Sequence, residues 1–203
     1  MKLAAVILAA GSSSRFENGH KLLVEIDGTP MVRRVCSALA QSKIDDIILV
    51  TGGTDDRVAK AAGQGRWRIV ENPDADDGLS TSLRTGLRNI DRTVDGLLIA
   101  LADMPGISSA LVDKLVSAFE INPDAIVFPA SPDGRRGHPI IWPRSLFAAL
   151  DTVTGDRGGR EILAQHQELW RPVACDEPGA FADIDTRADL ATFVAPDQPT
   201  RRK

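Results

Sequence analysis

The chain has 203 residues, 43% of them hydrophobic and 26% charged, with two cysteines and a formal net charge of −4. This length buries one substantial core, and the composition is ordinary for a globular protein. The negative balance argues against a nucleic-acid binder, which is normally basic, so any phosphate site has to be built locally. Cys36 and Cys175 make no disulfide framework, and Cys36, on the apolar face of an expected helix, reads as a buried structural thiol.

Residues 2–10 form a continuous apolar run that stops at Gly11, as in a central parallel strand buried on both faces. The run superficially resembles a short signal peptide. It flows straight into a Gly-Ser loop, however, and no longer apolar span follows, so it reads as a strand of a cytoplasmic protein that does not enter a membrane. Thr29 is placed to cap a helix with Pro30 at its first position and Met31, Val32, Val35 and Leu39 along one face. Residues 47–50 and 69–70 read as strands, and Ser80 as the cap of a helix facing inward through Leu83, Leu87 and Ile90.

Residues 97–101 are strand again, followed by a helix with Leu111, Leu115, Val116 and Phe119 on one side and a strand over 125–128. Short helices are expected near 144–150 and 159–164, and a last strand over 182–184. Thr186, with Asp189 three residues on, then opens a final helix. Strands alternating with helices indicate an α/β fold with a mainly parallel sheet and right-handed crossovers. We expect one domain over residues 1–194 and a disordered tail over 195–203, which is polar and carries two prolines.

In open parallel sheets ligands bind beyond the carboxyl ends of the strands, so the residues after each strand carry the functional signal. The first strand is followed by Gly11-Ser12-Ser13-Ser14-Arg15-Phe16 and then Lys21. Small residues let backbone N–H groups face an anion, hydroxyls add donors, and Arg15 and Lys21 add charge, a combination suited to a triphosphate. The bland alternative is a tight turn. A Walker loop is excluded, because Gly19-His20-Lys21-Leu22 lacks the hydroxyl that follows the lysine. A dinucleotide fingerprint is excluded too, because Ser13 and Phe16 stand where glycines are required.

Asp103, in Leu101-Ala102-Asp103-Met104-Pro105, ends a very apolar strand; it can ligate Mg²⁺ against phosphate oxygens or merely cap a turn. Asp183-Ile184-Asp185-Thr186 ends the expected last strand, where alternation sends both carboxylates to one face, although Asp185 can also serve the helix start. Asp77-Gly78-Leu79-Ser80-Thr81-Ser82-Leu83-Arg84 opens a helix whose hydroxyls and free backbone groups can read a base or ribose, or simply cap. All four signals fall at strand ends of one sheet.

With these motifs in view, the chain resembles the MobA-like nucleotidyltransferases. The resemblance rests on Leu8-Ala9-Ala10-Gly11-Ser12-Ser13-Ser14-Arg15-Phe16 with Lys21-Leu22-Leu23, and then in order on Gly78–Leu83, Leu101–Pro105, Gly137-His138-Pro139, Gly155-Asp156-Arg157-Gly158 and Asp183–Thr186. It spans roughly residues 2–194 and is closer to the molybdenum-cofactor cytidylyltransferase branch than to the guanylyltransferase branch. It implies a three-layer α/β/α fold with a mainly parallel, Rossmann-like sheet of the nucleotide-diphospho-sugar transferase type. The activity implied is transfer of CMP from CTP to a molybdopterin-type acceptor, with release of pyrophosphate.

Carried over residue by residue, the resemblance puts Ala9, Ala10, Gly11, Ser12, Ser13, Ser14, Arg15 and Lys21 at the triphosphate, and Gly78, Ser80 and Ser82 at the nucleoside. It makes Asp103 and Asp185 ligands of a Mg²⁺ cofactor and places His138 and Arg160 toward the acceptor. Lys21, Arg15 and Asp103 are then the catalytic set. A molybdoenzyme or its maturation chaperone is the further partner implied, and the guanylyltransferase branch's glycine is replaced here by Ala10, whose methyl narrows the base pocket. The competing readings are a sugar phosphate or phospholactate acceptor, GTP as donor, an oxidoreductase on the same scaffold, and a non-catalytic cofactor chaperone.

Overall fold

The computed structural model describes residues 1–11, 16, 20–53, 56–155 and 159–194. In chain order the strands are β1 (Leu3–Ala9), β2 (Glu25–Ile26), β3 (Thr29–Pro30), β4 (Asp46–Gly52), β5 (Arg68–Asn72), β6 (Gly96–Leu101), β7 (Ile126–Ala130), β8 (Ile140–Pro143) and β9 (Trp170–Ala174). The helices are α1 (Met31–Ala40), α2 (Arg57–Ala62), α3 (Leu79–Asn89), α4 (Ser109–Ile121), α5 (Phe147–Leu150), α6 (Arg160–Gln165) and α7 (Arg187–Val194). Seven strands form one sheet in the order β5-β4-β1-β6-β8-β7-β9, while β2 and β3 pair as a separate antiparallel ribbon.

β1 pairs in parallel with β4 and β6, β4 with β5, and β7 with β9; β8 alone runs antiparallel to its neighbours β6 and β7. The expected mainly parallel three-layer α/β/α architecture is the one observed. Every residue of β1 is buried, which is why its sequence is an unbroken apolar run. Its alternate side chains feed two cores. Ala5 and Ile7 pack with Val32, Val35 and Leu39 of α1 and Leu111 and Leu115 of α4, whereas Val6 and Leu8 pack with Leu83 of α3 and with Leu150, Ile162 and Leu163. Each such aliphatic side chain stabilises the fold by about 1.5–3 kcal/mol on burial. Cys36 lies in the first of these cores, where burial pushes its thiol up to about 12, so it stays protonated and unreactive.

The structure corrects several local expectations. Thr29 belongs to the β2–β3 ribbon, and Pro30, in an extended conformation, is the residue that precedes α1. Ser80 lies inside α3, whose cap is Gly78 at φ +106°, a conformation glycine adopts without strain. Residues 182–184 form no strand; they run as irregular backbone, with the Ile184 N–H donating to the carbonyl of Asp103 at 2.9 Å. The last strand is β9, and β8 fills the gap between β6 and β7. The Thr186–Asp189 capping box does form: the Asp189 carboxylate accepts from the Thr186 N–H at 2.7 Å and the Thr186 hydroxyl accepts from the Asp189 N–H at 3.2 Å. The expected tail over 195–203 lies outside the described residues. No described helix is long and apolar enough to cross a membrane.

Three loops beyond one end of the sheet are locked together by main-chain contact. Besides the Ile184–Asp103 bond, the His138 N–H donates to the Ala180 carbonyl at 2.8 Å. Gly106 and Gly179 approach so closely that a Cβ added to Gly179 would sit 2.1 Å from the Gly106 oxygen. Backbone cannot yield there as a flexible side chain would, so glycine is required by packing. Gly179→Ala should therefore destabilise the protein by about 1–3 kcal/mol, the usual range for overpacking, read as a lowered urea midpoint with an unchanged slope. An unaltered midpoint would mean that the loops are held apart in solution.

Candidate active site

The carboxyl ends of β1 and β6 lie side by side, with Leu8 opposite Leu101, and the Ala102 N–H donates to the Leu8 carbonyl at 3.1 Å. That pairing brings the residues after β1 next to the residues after β6. Lys21 enters from a single 3-10 turn, Lys21–Leu23, whose N-cap is His20, accepting from the Leu22 N–H at 3.4 Å. Its ammonium bridges two carboxylates, donating to Asp103 Oδ2 at 2.7 Å and to Asp185 Oδ1 at 2.7 Å. All three side chains are largely shielded, at 13%, 21% and 28% exposure, so the ion pairs act in a medium less polar than water. Burial alone would lower the Lys21 ammonium, but Asp103 and then Asp185 outweigh it and hold the group above its ordinary value, fully charged at neutral pH.

Two carboxylates and one ammonium leave the cluster net negative. The second oxygen of Asp103, Oδ1, is buried without a hydrogen-bond partner. Such an oxygen is costly to leave bare and is suited to a hard cation or a donor brought by a ligand. Among the described residues no group of three or more His, Cys, Asp or Glu side chains is arranged to hold a metal, so a cation here would draw its remaining ligands from phosphate oxygens and water.

Beside this cluster a cavity of about 280 Å³ opens between the end of β1 and the start of α3, lined by Ala10, Gly11, Ala75, Asp76, Gly78, Leu79 and Ser82. Its α3 wall is set by Asn72, fully buried at the end of β5. The Asn72 amide donates to Thr81 Oγ1 at 2.8 Å and Ser82 Oγ at 2.9 Å, while its Oδ1 accepts from the Asp74 N–H at 3.1 Å. One buried side chain thus holds both the loop before the helix and its first turn.

On the other side lies a narrower cavity of about 160 Å³, with walls that include Leu8, Leu101, His138, Trp142 and Arg160; Leu79 lines both cavities. Burial lowers the His138 imidazole below its ordinary value, helped by nearby Arg160 and opposed by Asp103, Asp183 and the Ile99 carbonyl, so it is neutral at pH 7.

Of the residues singled out from sequence, the structure brings Lys21, Asp103 and Asp185 into one cluster, Ala10, Gly11, Gly78 and Ser82 onto one cavity, and His138 and Arg160 onto another. Ala9 is buried at the end of β1 and Ser80 in the first turn of α3. Ser12, Ser13, Ser14 and Arg15, and Asp156, Arg157 and Gly158 of the Gly-Asp-Arg-Gly segment, lie outside the described residues. Asp183 does not share the placement of Asp185: with no strand there, alternation does not apply, and Asp183 is exposed. Two residues of the cleft, Asn72 and Trp142, are not among those the motifs pick out. Asn72-Pro73 at a strand end is a readable signal, whereas the place of Trp142 depends on β8.

A family model described as MobA-like NTP transferase domain matches residues 5–169. A relative from Paenarthrobacter nicotinovorans, named nicotine blue oxidoreductase, is 29% identical over 91% of this chain and 92% of its own. One from Vibrio atlanticus (strain LGP32), named molybdenum cofactor guanylyltransferase, is 26% identical over 93% of both. Among solved structures, Rv0371c of Mycobacterium tuberculosis H37Rv in complex with manganese superposes with a TM-score of 0.76 at 24% identity, covering 96% of this chain and 98% of that one. The model spans most of the sheet and the loops that build the cleft, and on that ground the chain belongs to the MobA-like NTP transferase family of nucleotidyltransferase enzymes.

Proposed function

We propose that this enzyme transfers CMP from CTP to a molybdopterin-type acceptor, with Mg²⁺ as cofactor and release of pyrophosphate. The observation that carries the reading is the Lys21 ammonium between Asp103 and Asp185, 2.7 Å from each, on the edge of a cavity lined by Ala10, Gly78 and Ser82. In this reading Gly11, Ser12, Ser13, Ser14, Arg15 and Lys21 take the triphosphate, and Gly78, Ser80 and Ser82 the nucleoside. His138 and Arg160 face the acceptor.

The acceptor's phosphate is already ionised near neutral pH, so it attacks the α-phosphorus directly. The P–O bond to the β-phosphate breaks as the new one forms, and pyrophosphate leaves with the electron pair. No enzyme nucleophile or covalent intermediate is needed, and the protein's task is positioning and charge neutralisation. Lys21 is suited to following charge onto the phosphates, because its cationic state is secured by its two acidic partners. The bare Oδ1 of Asp103 and the nearby carboxylate of Asp185 fit a hard divalent cation, which when bound would withdraw charge from the phosphate oxygens. The relative solved with manganese agrees with that donor set. Ala10 on the cavity wall supports CTP over GTP, since its methyl occupies space that a purine would need.

A second reading has one observation behind it: the Paenarthrobacter nicotinovorans relative is named an oxidoreductase. The charged cluster speaks against carrying that chemistry over, because hydride transfer has no use for a lysine shared by two carboxylates. Thermal stabilisation separates the two. CTP with Mg²⁺, at about 100-fold its dissociation constant, should stabilise the protein by roughly 2.7 kcal/mol, and NAD should not; stabilisation by NAD and by no nucleoside triphosphate would bring the oxidoreductase reading forward.

The carboxylate itself is tested by Asp103→Asn, which keeps shape and hydrogen bonding but removes charge. It should leave the melting transition near normal while lowering kcat by at least about 100-fold, or roughly 2.7 kcal/mol of barrier. Asp185→Asn should be milder, since an amide oxygen can still ligate weakly. Near-normal turnover of Asp103→Asn with Mg²⁺ present would reduce Asp103 to a turn residue.

A further inference from the structure

Four buried side-chain polar atoms have no hydrogen-bond partner among the described residues: Trp67 Nε1, Asp103 Oδ1, His138 Nδ1 and Trp142 Nε1. Buried polar groups are satisfied in the great majority of cases, so each exception asks for an explanation. Two of the four, His138 and Trp142, stand on the walls of the 160 Å³ cavity, and a third, Asp103, is close enough to His138 to influence its charge. The exceptions are therefore concentrated at one place, beside the candidate reacting centre.

Trp142 is 2% exposed and is fixed on three sides. It sits in β8 opposite Leu97 of β6, packs within the second core, and lies so close to Gly159 that a Cβ there would be 2.8 Å from its Cζ2. An indole N–H can only donate, so what it lacks is an acceptor atom. The rest of the wall is mostly aliphatic, with Leu8, Leu83 and Ile99 among its members. A dry aliphatic cavity of about 150 Å³ accepts one benzene molecule; this one, at about 160 Å³, has the size of a single six-membered ring. Arg160, exposed on the same wall, has no ion pair among the described residues. Leu79 divides this cavity from the one assigned to the nucleoside, so occupants of the two would lie side by side.

We infer that this cavity seats a ring of the acceptor substrate: a six-membered heteroaromatic ring whose acceptor atom takes the Trp142 N–H and whose anionic substituent meets Arg160. Trp142 is then a specificity-determining residue. The inference rests on the reading of this half of the cleft as the acceptor side. An aliphatic or purely carbocyclic occupant would fill the space but leave the indole N–H bare, and a site built to give one hydrogen bond discriminates strongly against ligands that cannot accept it.

The test uses the full chain and two size-matched probes, pyrazine-2-carboxylate and benzoate, followed through the indole N–H signals of the three tryptophans. Trp142→Phe assigns the Trp142 signal. Pyrazine-2-carboxylate should move that signal downfield and saturably while Trp67 stays in place, and should bind about 5-fold or more tighter than benzoate, as one added hydrogen bond predicts. In Trp142→Phe the preference should vanish, and Arg160→Gln should weaken both probes. An unmoved Trp142 signal in the unaltered protein, or equal affinity for the two probes, would overturn the assignment and leave the cavity to water or empty space; that arm stands even if Trp142→Phe does not fold. Stabilisation by CTP and Mg²⁺ is measured in parallel. Probe binding at Trp142 without any nucleotide binding would keep this site and remove the nucleotidyltransferase proposal, and nucleotide binding with a silent Trp142 would do the reverse.

Discussion

The ammonium of Lys21 joins three segments that the chain keeps far apart, since its two carboxylate partners lie 82 and 164 residues away. Asp103 follows the strand beside β1, and Asp185 reaches the same point on a loop that is tied to Asp103 by the Ile184 N–H and to the His138 loop by the Ala180 carbonyl. Removing one member of such a shielded cluster leaves the others uncompensated, a larger penalty than the loss of a surface pair. The cluster therefore fixes how the loops after β1 and β6 face each other, and hence the shape of the cleft on either side of it. It is also net negative around a cation that cannot lose its proton at neutral pH. That arrangement is poor as a purely structural device and well suited to exchanging partners when phosphates arrive.

The two cavities flanking the cluster differ in a way that matches a two-substrate reaction. One is broad and edged by glycine, serine and acidic residues at a helix start that Asn72 holds in place. The other is small and mostly aliphatic, with unsatisfied nitrogens and a single arginine. They share Leu79 as a common wall, so neighbouring occupants need no large movement to come together. Positioning of this kind is most of what a phosphoryl-type displacement asks of a protein, because charged phosphates need screening and alignment more than covalent help.

Much of this architecture is legible in the amino-acid sequence. The unbroken apolar run of β1 declares a strand buried on both faces, and the periodic faces of α1 and α4 turn inward as their spacing requires. Lys21, Asp103 and Asp185 are readable because chemistry in a parallel sheet gathers after its strands. What escapes such reading is non-local. β8 is antiparallel and only four residues long, and β9 is an edge strand containing arginine and proline, so neither shows the pattern of a buried parallel strand. Residues 182–184 look like a strand by composition, but their hydrogen bonds go to a loop, which only tertiary contact decides. Ser80 resembles a helix cap because its residue type favours one, yet Gly78, with its positive φ, supplies the turn. Trp142 is indistinguishable in sequence from an ordinary core aromatic; its unpartnered N–H exists only in three dimensions.

The measurement that bears most directly on the account is pyrophosphate release by the full chain, with Mg²⁺ present, for each nucleoside triphosphate in turn and with or without molybdenum cofactor as acceptor. The account predicts release that requires both the acceptor and a nucleoside triphosphate, with CTP preferred. No release with any nucleotide in the presence of that acceptor would contradict it.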